Sequence, residues 1–213
     1  MKKISKADLS INELIDLIKE DFLETDNLIK NQITSDVDRI PQLSSHIIDL
    51  GGKRLRPILT IACAKMLNVK NNHHITLAAA VELLHTATLL HDDVVDESNF
   101  RRGKETSHKI WDNKSSILVG DYLLGKAFQL MVKTGSLECL KTLSNAAAII
   151  AEGEVLQLVA INNINIKKND YIKIIESKTA ALFSSACEVG GIISNSQEKI
   201  NKLLFSFGKN LGT

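Results

Sequence analysis

The chain has 213 residues, 44% of them hydrophobic, with two prolines, 4% aromatic residues, and 26 basic against 25 acidic side chains for a formal charge of +1. That balance excludes the strong basic stripe a nucleic-acid partner requires, and the abundance of Leu, Ile, Ala, Lys and Glu favours helices over a sheet. The length suffices for a full core, and one domain over 1–213 is expected.

From Leu9 to about Ile33, apolar residues recur at Ile11, Leu14, Ile15, Leu17, Ile18, Phe22 and Leu28, which predicts one amphipathic packing or interface helix. Met1–Ser10 carries lysines with no apolar run behind them. No later run reaches the roughly 18 uninterrupted apolar residues of a spanning helix, so a soluble, cytoplasmic protein is expected. A short helix over Leu43–Leu50 follows Pro41 and breaks at Gly51-Gly52. Pro57 then suits the first turn of a helix reaching Leu67. Asn68–His74 reads as a polar turn in which His73 and His74 are solvated.

Leu77–Asp96, LAAAVELLHTATLLHDDVVD, is the stretch that carries chemistry. On a helix, Asp92 and Asp96 share a face one turn apart, Asp93 lies beside them, and His85 sits two turns back on nearly the same face. Only Glu82 and His85 are ionisable between Leu77 and Leu89, which suits a helix buried on most sides. Three carboxylates so close repel one another unless a hard dication such as Mg²⁺ is shared, with phosphate oxygens completing its shell. A polar loop holding Phe100-Arg101-Arg102-Gly103 comes next, with Trp111 expected to anchor it to the body. Ile117–Val132, Leu137–Ile161, Tyr171–Ile193 and Gln197–Leu211 read as further helices, separated by KTGS, NNINIKKND and a short break. The sum is an all-α bundle of roughly eight helices. Cys63, Cys139 and Cys187, odd in number and set in apolar runs, are expected as buried free thiols, while His46 and His108 carry no role.

Two cationic clusters accompany the aspartates. Gly51–Pro57, GGKRLRP, places Lys53, Arg54 and Arg56 at a helix start beside two glycines, where phosphate is attracted. Arg101-Arg102 follow Asp96, and Lys178-Thr179 lie on the helix after Tyr171. Two diphosphates brought together need such neutralisation, whereas one needs less. No P-loop, dinucleotide-binding or nucleophile-elbow pattern competes. What remains is departure of a diphosphate leaving group assisted by metal.

GGKRLRP, LLHDDVVD followed by RRG, VGDYLLGKAF and KTAALF, in this order and spacing, resemble the trans-polyprenyl diphosphate synthases from about Gly51 onward. The resemblance implies an isoprenoid-synthase-type helical bundle around a central apolar cavity. It also implies a dimeric prenyltransferase that joins isopentenyl diphosphate to an allylic diphosphate. Lys53, Arg56, His85 and Arg102 match residues that hold isopentenyl diphosphate. Asp92 and Asp96, with Asp93 beside them, match ligands of Mg²⁺ carrying the allylic diphosphate, and Arg101, Lys178 and Thr179 match residues that hold that partner. Asp92, Asp93, Asp96 and Lys178 are the catalytic candidates.

In that family, bulky residues near Ala87 and Thr88 floor the product pocket. Small ones here imply a long-chain all-trans product, of the kind used for quinone side chains. Members of the family also carry a second aspartate-rich motif after a stretch like FGKNLG. This chain reaches Thr213 without it, so the bundle is expected to lack its last helices and the chain alone to have little activity unless a second chain supplies the rest. A non-catalytic subunit, as homodimer or heterodimer with a related chain, is the main alternative. A terpene cyclase fits less well, because it needs neither GGKRLRP nor a second diphosphate site and its cavity is richer in aromatics.

Overall fold

The computed structural model describes residues 11–161, 163 and 166–213. The lysine-bearing start Met1–Ser10, with Leu9, lies outside them, as do Asn162, Ile164 and Asn165 of the NNINIKKND connection. Among the described residues the architecture is helical: α1 (Ile11–Leu17), α2 (Lys19–Gln32), α3 (Arg39–Asp49), α4 (Leu55–Met66) and α5 (His73–Val95) come first. A two-stranded hairpin, β1 (Phe100–Arg101) and β2 (Lys104–Glu105), leads into the single turn α6 (Ser107–Ile110). α7 (Asn113–Lys133), α8 (Leu137–Ala160), α9 (Lys168–Ile175), α10 (Ala181–Ile193) and α11 (Glu198–Gly212) follow, with a π-helical turn, Glu176–Ala180, between α9 and α10.

α5 is the axis of the bundle. Leu77, Leu83, Leu84 and Leu90 are fully buried, and the helix packs against α2, α4, α7 and α10. An apolar circumference and few ionisable residues leave it no stable place but the centre. α10 is nearly as enclosed, because Gly190 and Gly191 allow other helices to press on it. A Cβ on Gly190 would meet Thr60 O at 2.7 Å and Cys63 Cβ at 2.8 Å. Gly190→Val is therefore expected to force α4 and α10 apart and cost about 2–3 kcal/mol, measurable as a lower urea midpoint with unchanged slope.

Several expectations change in detail. The first helix is two, because the backbone at Ile18 leaves helical geometry (φ −117°, ψ 15°), turning that side chain into the core at 3% exposure. α3 starts at Arg39, ahead of Pro41, which fits its first turn. His74 is not a solvated turn residue. It is 3% exposed, with its ring nitrogens 2.9 Å from Asn71 O and from Asp21 Oδ2, and it pins α2 to the start of α5. Burial works to raise the Asp21 carboxyl, but the bonds to His74 and Lys65 outweigh it and hold the group below its ordinary value.

Trp111 does anchor its loop, packing on the core and edge-on to His46 at 5.5 Å between centroids. All three cysteines are buried and free. α8 is long and apolar enough to cross a membrane, with 24 residues and a mean hydropathy of 1.3 over its most apolar window, although charged residues interrupt the run. Only 22% of that window is buried. Cys139, Leu143, Ala146, Ile150 and Gly153 form its packed side, and Leu137 and Val159 are 81% and 77% exposed on the other.

Candidate functional site

Gly51 and Gly52 (φ 72° and 154°) turn the chain between α3 and α4, and Arg54, also left-handed at φ 49°, caps the start of α4. Arg54 Nη1 donates to Glu82 Oε1 at 2.8 Å and lies near Asp26, so the middle cation of GGKRLRP braces α4 against α5. Arg56 points inward over the Phe183 ring at 4.4 Å, with its Nε buried and unpartnered. Burial and then, in the opposite sense, the charge of Glu82 leave it at about 10, still protonated at neutral pH.

The second cluster reaches the first through the hairpin. Arg102 and Gly103 occupy its two-residue turn with φ of 53° and 81°, the left-handed pair of a type I′ turn. At its tip Arg102 lies on Gly52, so close that a Cβ there would be 2.7 Å from Nη1. Lys53, Arg56, His85, Arg102 and Phe183 thus line one cavity of about 380 Å³. His85 is pushed down to about 3 by burial first and then by Arg56, Arg101, Arg102 and Arg54, so a neutral imidazole stands among cations. A dianionic ligand finds charge, an imidazole donor and the unpaired guanidinium N–H of Arg56 in one place.

The aspartates occupy the C-terminal end of α5, the negative end of its dipole, with no basic residue in the last turn. Asp92 and Asp96 lie on the face of His85. Asp93 is 2% exposed and turned aside, its carboxylate gripped by Arg101 through Nε at 2.9 and 3.0 Å and Nη2 at 2.8 Å. Arg101, expected to hold the allylic diphosphate, is here engaged by the Asp93 carboxylate.

Asp92 is raised to about 7 by burial, then by Glu154 and Asp96, which Lys178 and Arg101 offset only in part. Carboxylates with that much unrelieved repulsion at a helix end of the same sign fit a hard dication. Among the described residues no three His, Cys, Asp or Glu side chains converge as a metal cage.

Lys178 and Thr179 lie in the π-helical turn, where the extra residue re-aims side chains relative to α9 and α10, a device common at functional sites. Lys178 Nζ donates to Glu154 Oε2 and to Gln157 Oε1, each at 2.7 Å. Thr179 is half-buried beside it. Gly153 allows the approach, since a Cβ would fall 2.6 Å from Ser177 Cβ.

Glu154 and Gln157 escaped the reading of the sequence, although a glycine inside a helix followed by a glutamate in an apolar run signalled them. The same holds in the motif VGDYLLGKAF. Gly120 opens a slot for the His91 ring, whose Nε2 donates to Ile117 O at 3.1 Å and lies 3.4 Å from Asp121 Oδ1, tying α7 to the residue before Asp92. Thr88 shares the face of Asp92 and donates to His85 O at 2.7 Å. Ala87 is 2% exposed within the main apolar core.

A sequence profile described as polyprenyl synthetase matches residues 37–213. Over 205 residues the chain is 42% identical to octaprenyl diphosphate synthase of Escherichia coli (strain K12), covering 96% of this chain and 64% of that protein. The structure of a decaprenyl diphosphate synthase from Rhodobacter capsulatus superimposes with a TM-score of 0.92 at 50% identity, over 94% of this chain and 62% of that one. A polyprenyl synthase from Caulobacter crescentus CB15, complexed with calcium and isoprenyl diphosphate, gives 0.94 at 46% identity, over 95% and 62%. The chain spans less than two thirds of the length of these relatives.

Proposed function

Because the chain belongs to the polyprenyl synthetase family, we propose that it binds an allylic and an isopentenyl diphosphate on the two walls of one site and joins them into a long-chain all-trans polyprenyl diphosphate. The observation that carries this reading is the meeting of Gly52, Lys53, Arg56 and Arg102 in a cavity that shares His85 and α5 with Asp92. One anion pocket alone would suit many phosphates. An anion pocket and a carboxylate pair on one helix suit two.

In this reading Lys53, Arg56 and Arg102 hold isopentenyl diphosphate by charge, and neutral His85 donates one hydrogen bond to it. Asp92 and Asp96 would hold Mg²⁺, with Asp93 supporting from behind through Arg101. When bound, it neutralises the allylic diphosphate and draws off the negative charge that develops as the leaving group departs. Lys178 and Thr179 meet the same diphosphate from the opposite wall, and Arg101 adds its charge from its place on Asp93. The apolar walls exclude water from the allylic cation, which the isopentenyl double bond attacks, and the released diphosphate takes the proton.

Chain length follows from the floor of the site. Thr88→Phe places a ring about one turn, or ~6 Å, below Asp92 on the same face and is expected to shorten the product. Ala87→Phe puts its ring into the packed core beside α5 and is expected to shorten the product at a cost of about 1–3 kcal/mol in stability. Thin-layer chromatography of labelled products beside a thermal melt checks both, and an unchanged product ladder in each variant contradicts a long-chain pocket here.

The outward apolar faces of α7 and α8, with Leu118, Val132, Val155 and Val159 exposed, support assembly with a second chain, as a homodimer or with a related subunit. That face also favours the second reading, a subunit that acts only in an assembly. Free buried thiols support a reducing, cytoplasmic setting. Incorporation of labelled isopentenyl diphosphate with each allylic primer tests the main reading. Turnover of the chain with Mg²⁺ supports a self-sufficient synthase and overturns the expectation that the chain alone has little activity, whereas turnover appearing only when a full-length relative is added favours the subunit.

A further inference from the structure

Glu154 has no place in the expectations drawn from the motifs, yet it controls the setting of Lys178. Its Oε2 is 2.7 Å from Lys178 Nζ, Gln157 Oε1 takes a second ammonium hydrogen at 2.7 Å, and the two charged side chains are only 18% and 19% exposed. Gly153 lets the backbone around Ser177 and Lys178 lie directly on α8, which brings Lys178 beside Glu154. From the same position the Glu154 carboxylate works against Asp92 on the facing wall. One carboxylate thus pairs with the cation of the π-helical turn and also bears on the charge of Asp92.

We propose that Glu154 makes the hold of Lys178 on the allylic diphosphate conditional on the divalent metal. The inference rests on the reading of the site given above. Without metal, a diphosphate arriving at Lys178 finds the ammonium already matched by Glu154 and meets that carboxylate, of its own sign, beside it. A dication held by Asp92 and Asp96 would reverse that balance. Phosphate oxygens then compete with Glu154 for the ammonium. Glu154 acts through Lys178 and is a positioning residue, and its effect is to refuse prenyl diphosphates that arrive without metal.

The test is calorimetric titration of the full chain with farnesyl thiodiphosphate, in Mg²⁺ and in EDTA. Wild type is expected to bind in Mg²⁺ and at least about a hundredfold more weakly in EDTA. Glu154→Gln, which keeps the shape and loses the charge, is expected to tighten binding in EDTA about tenfold, with a smaller change in Mg²⁺. The gain should vanish in the double variant Glu154→Gln/Lys178→Ala. Gln157→Leu, which removes only a neutral acceptor, should give no such gain. A folding defect would not raise affinity for a metal-free ligand. Should Glu154→Gln melt early, Glu154→Asp, which withdraws the carboxylate by about 1.5 Å, is expected to move the EDTA affinity in the same direction. An EDTA affinity within about twofold of wild type in both Glu154 variants, or a gain that survives loss of Lys178, overturns the proposal while the site reading stands. Wild type that fails to bind in Mg²⁺ overturns the site reading and the proposal together.

Discussion

Asp92→Asn is expected to abolish magnesium-dependent binding of a prenyl thiodiphosphate, a loss of at least about a hundredfold in affinity, while the protein without metal becomes more stable at pH 8. The two effects have one origin. The Asp92 carboxyl is raised to about 7 by burial and by Glu154 and Asp96, so its ionised form is disfavoured in the folded state. A carboxyl raised in this way leaves stability intact below the ordinary value near 4 and lowers it as pH climbs from there through about 7. At pH 8 the cost is complete, and the neutral amide removes it. The thermal midpoint of Asp92→Asn without metal is therefore expected to exceed wild type by about 3 °C or more at pH 8 and to match it near pH 4. Thermal melts with EDTA across that range check the stability arm, and titration in Mg²⁺ checks the binding arm. Equal midpoints at pH 8 with unimpaired binding would remove Asp92 from the metal pair.

Arg101→Met is expected to destabilise the fold by about 3–5 kcal/mol, because it leaves the Asp93 carboxylate buried with nothing to match it. Asp93 is 2% exposed and accepts from two nitrogens of a single guanidinium at 2.8–3.0 Å, while the Arg101 side chain is 26% exposed, so methionine fits the space. For a chain of this length the thermal midpoint should fall by about 6–20 °C at pH 7. Asp93→Asn in the same chain should recover most of the loss, since the amide carries no charge to strand. If Arg101→Met melts within about 2 °C of wild type, the pair contributes nothing and Asp93 is free to serve the metal directly.

Adjacent aspartates in one motif thus stand in separate settings, Asp93 paired with Arg101 and Asp92 without that partner, and the sequence could not divide them. Spacing alone placed Asp92, Asp96 and His85 on a common face, because 3.6 residues per turn leaves no other arrangement on a helix this apolar. It could not say that Arg101 folds back eight residues to take Asp93, since that depends on the type I′ turn at Arg102-Gly103 and the direction it gives the hairpin. The clustering of Lys53, Arg56 and Arg102 was foreseeable in kind, because three basic groups near one acidic helix imply anions. The contact that joins them, Arg102 on Gly52, is a matter of long-range packing.

Periodicity located most helices and missed the break at Ile18, where tertiary burial of one side chain overrides local preference. It also missed the π-helical turn at Glu176–Ala180, since one extra residue shifts the apolar pattern too little to be seen over so short a span. Lys178 was legible as a cation and illegible as a guarded one. Its partners Glu154 and Gln157 lie more than twenty residues away on another helix, where they read as ordinary polar positions.

Two diphosphates on two walls of one site is the central claim, and the stoichiometry of binding tests it most directly. Calorimetric titration of the full chain in Mg²⁺ with isopentenyl diphosphate, with farnesyl thiodiphosphate, and with each in the presence of the other is expected to give one of each per chain, bound together. In EDTA the isopentenyl diphosphate should be retained and the thiodiphosphate lost. A single site for which the two ligands compete, or one indifferent to metal for both, would contradict the account.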